Sequence, residues 1–183
     1  MIINWYGGGC YKMQASGVSI VTDPDSSGSG NRLKGDLVIK TEAPVFADIN
    51  NVVENEISTP GEFEISGTKI RGTAIPAGKG IIKTAYRVEV DDMAFGFLGN
   101  VSAELSEKAL EALGEIDILF VPSNDIANKL VKSVDPKIVI PGWGDPKKVM
   151  ADIGQKPDPQ EKLVIKKKDL EEIEGLRLIV LKN

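Results

Sequence analysis

Ile2-Ile3-Asn4-Trp5-Tyr6-Gly7-Gly8-Gly9-Cys10-Tyr11, with Val18-Ser19-Ile20-Val21-Thr22-Asp23-Pro24 shortly after it, is the stretch around which the chain is organised. It reads as an apolar strand, a glycine turn and a hairpin that ends in Asp-Pro, which together make a rim where a sheet edge meets a loop. Three successive glycines permit positive φ and close backbone approach, a freedom that a ligand-facing loop needs more often than a strand-to-strand turn does. A flexible turn between two strands is the plainer reading of the same residues.

Outward from this rim, residues 25–35 are polar and rich in glycine and serine and read as a surface loop. A phosphate cradle is the sharper reading, but no Gly-Lys-Ser/Thr ending and no following helix support it. Residues 36–39 form a short buried strand that continues into Lys40-Thr41-Glu42-Ala43-Pro44-Val45-Phe46-Ala47. A meander follows, with strands expected at 53–57, 61–65, 68–75, 84–90 and 93–98. In the second of these, Phe63 and Ile65 alternate with Glu62 and Glu64, so the apolar side faces inward and the carboxylates face solvent. The rhythm then changes. Residues 103–113 predict an amphipathic helix that Ser102 can cap, and 117–121 a buried strand. A helix at 125–133, a strand at 137–140 and a short helix at 146–152 follow, and the tail gives strands at 163–165 and 176–181 around 168–173. Strands alternating with helices indicate βα units on a sheet. The 183 residues suit one domain spanning 1–183.

A net charge of -5 argues against nucleic-acid and anionic-membrane partners, since phosphate attraction needs a basic face. The single basic run, Lys166-Lys167-Lys168, is followed at once by acidic residues and reads as a solvated strand end. With no apolar run long enough to span a bilayer, no charged-then-apolar leader and one cysteine, the expected location is the cytoplasm. The most consequential count is zero histidines, because histidine is the commonest transition-metal ligand and the side chain whose pKa lies nearest neutrality.

The opening stretch resembles the metallo-β-lactamase fold hydrolases, in the branch of predicted zinc-dependent hydrolases and ascorbate-phosphate lactonases. That branch begins with a strand, Trp-Leu-Gly-His-Ala-x-Phe, a hairpin and Ile-Asp-Pro, and Trp5 to Tyr11 and Val21 to Pro24 stand where those elements belong. The resemblance implies an α/β fold, a four-layer αββα sandwich, and a metal-dependent ancestry. It also implies where the ligands would be, and each position has departed from the pattern. Gly8 stands at a histidine. Glu42, Pro44, Phe46 and Ala47 stand along Thr-His-x-His-x-Asp-His. Asn100 stands at the bridging aspartate after Phe97-Leu98-Gly99, and Trp143 at the histidine of Pro-x-His.

A zinc pair needs about three or four nitrogen or carboxylate ligands per ion. With the metals gone, a bridging aspartate would be a buried unpaired charge, which Asn100 relieves, and the Trp143 indole can fill vacated volume. The expectation is therefore a pseudoenzyme: a non-catalytic, metal-free relative with no cofactor, whose vestigial pocket binds a small ligand or a protein. That pocket is expected to comprise Gly8, Cys10, Asp23, Glu42, Pro44, Phe46, Ala47, Asn100, Trp143 and Asp145. Two alternatives stand beside it. One is a hydrolase acting on a phosphoester or lactone, either through an oxygen-only site on Asp23, Asp36, Glu42 and Asp145 or through Cys10 activated by Lys79 or Lys40. The other is a structural module, such as a homo-oligomer.

Overall fold

The computed structural model describes residues 1–26, 28, 33–45 and 54–183. Two sheets face one another. The first is six-stranded, in the order β13-β1-β2-β3-β4-β6, from β1 (Ile2–Trp5), β2 (Tyr11–Ala15), β3 (Val18–Thr22), β4 (Leu37–Ile39), β6 (Glu56–Ile57) and β13 (Lys162–Val164). The second is eight-stranded, in the order β14-β12-β11-β10-β9-β8-β7 with β5 (Glu42–Pro44) paired to β9 off that path. Its other members are β7 (Gly61–Ile65), β8 (Thr68–Ile75), β9 (Ile81–Val90), β10 (Met93–Phe97), β11 (Ile118–Pro122), β12 (Ile138–Gly142) and β14 (Arg177–Leu178).

The alternation read from the sequence explains this arrangement. Ile3, Tyr11, Met13, Ile20, Leu37 and Ile39 of the first sheet meet Val88, Phe95, Phe97, Phe120 and Ile140 of the second in one buried cluster. β11 and β12 are buried on both faces, because their other side carries helices. α1 (Glu107–Leu113) lies on β8 and β9, and α2 (Ala127–Val134) lies on β11 with α3 (Lys147–Ile153) beside it. Ala109, Leu113, Leu130, Val131 and Val149 of these helices close a second core with Leu119, Val121 and Val139. α4 (Lys167–Glu171) places Leu170 in the core between the sheets. The mixed α/β sandwich of two sheets with helices that the resemblance implies is thus present.

Several local expectations change. α1 starts at Glu107, because Ser106 and not Ser102 accepts the capping hydrogen bond from the Ala109 amide. Residues 42–44 form β5, a strand the proline disguised; Pro44 ends a short strand, where a missing amide is tolerated. In the tail only Arg177–Leu178 pairs as a strand with β12, and beyond it Ile179 bonds Val139 while Val180 accepts from the Gln160 amide. Lys167 is not merely solvated: its ammonium lies 3.2 Å from the Asp117 carboxylate. Glu62 and Glu64 do lie exposed on β7, and Glu62 pairs with Arg71 at 3.0 Å. Among the described residues no helix is long and apolar enough to cross a membrane.

Candidate functional site

The carboxyl ends of β3, β4, β10 and β12 converge on one rim. Thr22 pairs with Ile39 in parallel register, and the Asp23 amide continues the ladder to the Ile39 carbonyl at 2.9 Å. The chain then turns sharply through Asp23, whose φ is 38°, into a single 3₁₀ turn at Pro24–Ser26. That turn is stitched to the glycine loop: the Gly9 amide donates to Ser26 Oγ at 2.8 Å, and Ser26 Oγ donates to the Asp23 carbonyl at 2.7 Å. Past β10, Gly99 takes a φ of 69°, and a Cβ there would fall 2.5 Å from Thr41 Oγ1. Only glycine lets the two sheets approach this closely.

Trp143 closes the rim from the end of β12. Its φ is 47°, a left-handed conformation in which a bulky residue is held by its surroundings. The holding contacts are its amide, which donates to the Gly8 carbonyl at 3.1 Å, and its benzo ring, which lies against Gly9 where a Cβ would meet Cζ2 at 1.8 Å. Trp5 Nε1 donates to the same Gly8 carbonyl at 3.0 Å. The glycine run is therefore a seat for an indole.

Below Trp143 and between the strand ends is a cleft of about 420 Å³, lined by Asp23, Asp25, Ser26, Lys40, Thr41, Glu42, Asn100 and Trp143. Asp23 is 9 % exposed, and its carboxylate is clamped by Thr41, whose amide donates to Oδ1 and hydroxyl to Oδ2, both at 2.7 Å. Glu42 is tied to Lys83 at 3.1 Å, and Lys83 also donates to the Asn100 carbonyl at 3.1 Å. Lys40 sits between Asp25 at 2.9 Å and Glu56 at 3.0 Å.

Of the residues expected in the pocket, Asp23, Glu42, Asn100 and Trp143 line it together, and Gly8 borders it through the Trp143 amide. Three do not. Cys10, just before β2, is fully buried, and this removes it as an accessible nucleophile. Pro44 is exposed on β5, paired across from Ile81. Asp145 is exposed, accepts the Lys147 amide at 3.0 Å just before α3 and does not line the cleft. Asp36, proposed with these as a hard-cation ligand, instead accepts from the Ser19 amide and hydroxyl. Phe46 and Ala47 lie outside the described residues. Sequence reading missed Thr41 and Ser26 as partners in this site, and it named Lys40 as an activator of Cys10, whereas Lys40 pairs with Asp25 and Glu56. The detectable signal for Thr41 and Ser26 was their position just past two strands that end side by side.

Burial pushes the Asp23 carboxyl up from 3.8 to about 6, against the Thr41 hydrogen bonds, which pull it down. The folded protein then holds this proton more readily than the unfolded chain. The stability owed to Asp23 therefore falls as pH rises from 3.8 to about 6 and is level above that. Asp23→Asn removes the titration and keeps an oxygen for the Thr41 amide, while the Thr41 hydroxyl turns to accept from the new amide. The variant is expected to exceed the parent by about 3 kcal/mol near pH 8 and to match it near pH 4, since each tenfold gain in proton affinity on folding is worth about 1.4 kcal/mol and the Thr41 bonds already count in the raised value. Urea denaturation at the two pH values measures the difference. An equal gain at both would show that Asp23 does not titrate in this window.

The residues at the family's ligand positions do not fit a zinc pair. An indole offers a donor and no acceptor, Gly8 has no side chain, and Glu42 is committed to Lys83. Among the described residues no group of three or more His, Cys, Asp or Glu is placed to hold a metal ion.

Two facing sheets, helices on the larger one and a cleft at the strand ends define a metallo-β-lactamase-type sandwich. The chain belongs to the beta-lactamase superfamily domain family, whose profile matches residues 2–142. Among solved structures it is similar to a candidate Zn-dependent hydrolase of the metallo-beta-lactamase superfamily from Thermotoga maritima, at a TM-score of 0.77 and 21% identity over 98% of this chain and 97% of that one. It is also similar to a metallo hydrolase from the archaeon Ignicoccus hospitalis, with a TM-score of 0.62 and 15% identity over 90% of this chain and 99% of that one. The metallo-beta-lactamase fold protein YhfI from Bacillus subtilis gives a TM-score of 0.64 and 10% identity over 99% of this chain and 96% of that one. At these identities the likeness is one of fold. No match was found among curated proteins.

Proposed function

We propose that this chain is a metal-free binding domain of the superfamily, which takes a small ligand in the rim cleft. The observation that carries the reading is the commitment of the donors. The cleft of about 420 Å³ remains, yet two of its three carboxylates are spent on lysines, Asp25 on Lys40 and Glu42 on Lys83, and an indole stands where the fold's relatives would need a ligand. A hydrolytic metal site needs acceptors that converge on an ion and an open position for water. Here the acceptors bond to one another's neighbours. The surviving cleft is lined by seven polar or charged residues and one aromatic residue, Trp143, a more polar lining than most small-molecule sites have, and it suits a polar ligand that also touches the indole.

Elemental analysis of protein purified without added metal, repeated after dialysis against zinc, manganese and magnesium, tests this reading. The expected result is far less than one equivalent of any ion throughout. A full equivalent, together with metal-dependent turnover of phosphoester or lactone substrates, would replace the reading with that of a hydrolase using a relocated oxygen-rich site.

A further inference from the structure

We infer that the ligand of the rim cleft is an organic cation, a protonated amine held by the Asp23 carboxylate and the Trp143 indole. The inference rests on the binding-domain reading and names the chemistry of its ligand.

The charges around the cleft single out one group. Asp25 is paired with Lys40 at 2.9 Å and Glu42 with Lys83 at 3.1 Å. Asp23 differs: among the described residues it has no lysine or arginine within 4.0 Å, and it is held by the neutral amide and hydroxyl of Thr41. A carboxylate has about four lone-pair sites, so two acceptor positions remain. A buried charge is costly unless a counter-charge meets it. Trp143, half-buried, also lines the cleft, and a cation near an indole face gains about 0.5–2 kcal/mol from the ring quadrupole.

The alternatives fit less well. An anionic ligand would meet Asp23, Asp25 and Glu42, with Lys40 as the single cation of the lining among the described residues, and that ammonium is already shared by Asp25 and Glu56. A neutral ligand that covers Asp23 would strip water from it without supplying charge. An ammonium head with a short apolar stem supplies charge, donors and a surface for the indole.

The test is titration of the full chain with n-butylammonium, n-butanol and butyrate, each followed by the indole N–H resonances. The two tryptophans give two such signals, and Trp143→Leu assigns them by removing one. n-Butylammonium is expected to shift the Trp143 signal saturably, and butyrate to leave it in place. Asp23→Asn should weaken n-butylammonium by about tenfold or more, and Trp143→Leu by about fivefold, as loss of a charge-assisted contact and of a cation–π contact predict. Glu62→Gln, which removes the same charge from the exposed face of β7 and does not line the cleft, should weaken it less than about threefold. Binding of butanol or butyrate as tightly as the amine would overturn the cation inference while leaving a binding domain. Absence of any shift with all three probes would overturn it as well, and the metal analysis decides separately whether the chain is a binding domain at all.

Discussion

Gly9→Ala is expected to destabilise the protein by about 3 kcal/mol, the upper range for one added methyl group in a packed site. For a chain of this length that lowers Tm by about 6–12 °C. Gly9 is not among the glycines with positive φ, so alanine meets no backbone penalty there and the whole cost is steric. The added Cβ would lie 1.8 Å from Cζ2, 2.3 Å from Cε2 and 2.6 Å from Cη2 of Trp143, a ring that cannot yield as a flexible chain end would. Nor can Gly9 retreat easily, since its amide is bonded to Ser26 Oγ and its carbonyl accepts from Thr22 Oγ1 at 2.9 Å. The indole must therefore leave its seat. Trp143 emission is expected to shift to longer wavelength as the ring meets water, and the cleft loses its wall. The control is the double variant. In a Trp143→Ala background the same Gly9→Ala change should cost under about 1 kcal/mol, because residues in contact couple and the obstacle is gone. Thermal melts of the four proteins measure this coupling. Full cost in both backgrounds would mean that the clash lies elsewhere.

This pair also shows what was legible in the sequence. Gly7-Gly8-Gly9 declared a close approach, and Trp143 stood out as an aromatic residue where the resemblance expects a histidine. That the two touch depends on β12 ending beside the glycine turn, a juxtaposition set by the packing of two sheets and invisible to local pattern. The same limit explains the other differences. Asp23 was legible as a rim residue from its place before Pro24, yet its Thr41 clamp follows from the parallel pairing of β3 and β4, whose register no single strand announces. Ser102 and Ser106 are each followed by helix-compatible residues, and the choice between them falls to the packing of Leu105 against the second core. Asp145 looked like a cleft carboxylate because it follows Trp143 closely, but Gly144, at a φ of 138°, turns the chain away into α3. Strands with clean alternation, such as β7 and β8, were placed at their true bounds, since period-two burial is written directly in the side chains.

Phe120→Ala should have a larger effect, about 4 kcal/mol, within the 3–5 kcal/mol typical of deleting a buried phenylalanine. Phe120 is fully buried in β11 and joins the two sheets. Its ring stacks on Phe97 at a centroid distance of 4.5 Å and 12°, and meets Tyr11 of the opposite sheet at 4.5 Å and 56°. Offset and tilted aromatic pairs of this kind add to the area they bury. The site depends on this cluster, because the Tyr11 hydroxyl donates to the Pro141 carbonyl at 3.1 Å, two residues before Trp143. Burial pushes the Tyr11 phenol well above its ordinary value, so it stays protonated and remains a donor throughout the working pH range. Truncating Phe120 removes the ring that holds Tyr11 in place. The loss should therefore reach the rim as well as the core, and n-butylammonium binding should weaken in Phe120→Leu, a milder variant that keeps most of the volume. Tyr11→Phe separates the two contributions. It keeps the packing and deletes only the hydroxyl, so it should cost about 1–2 kcal/mol for the carbonyl left without a partner. Urea denaturation with unchanged m values measures all three. If Phe120→Ala costs under about 1 kcal/mol, the sheets are not joined through this ring, and the rim must owe its shape to the glycine seat of Trp143 alone.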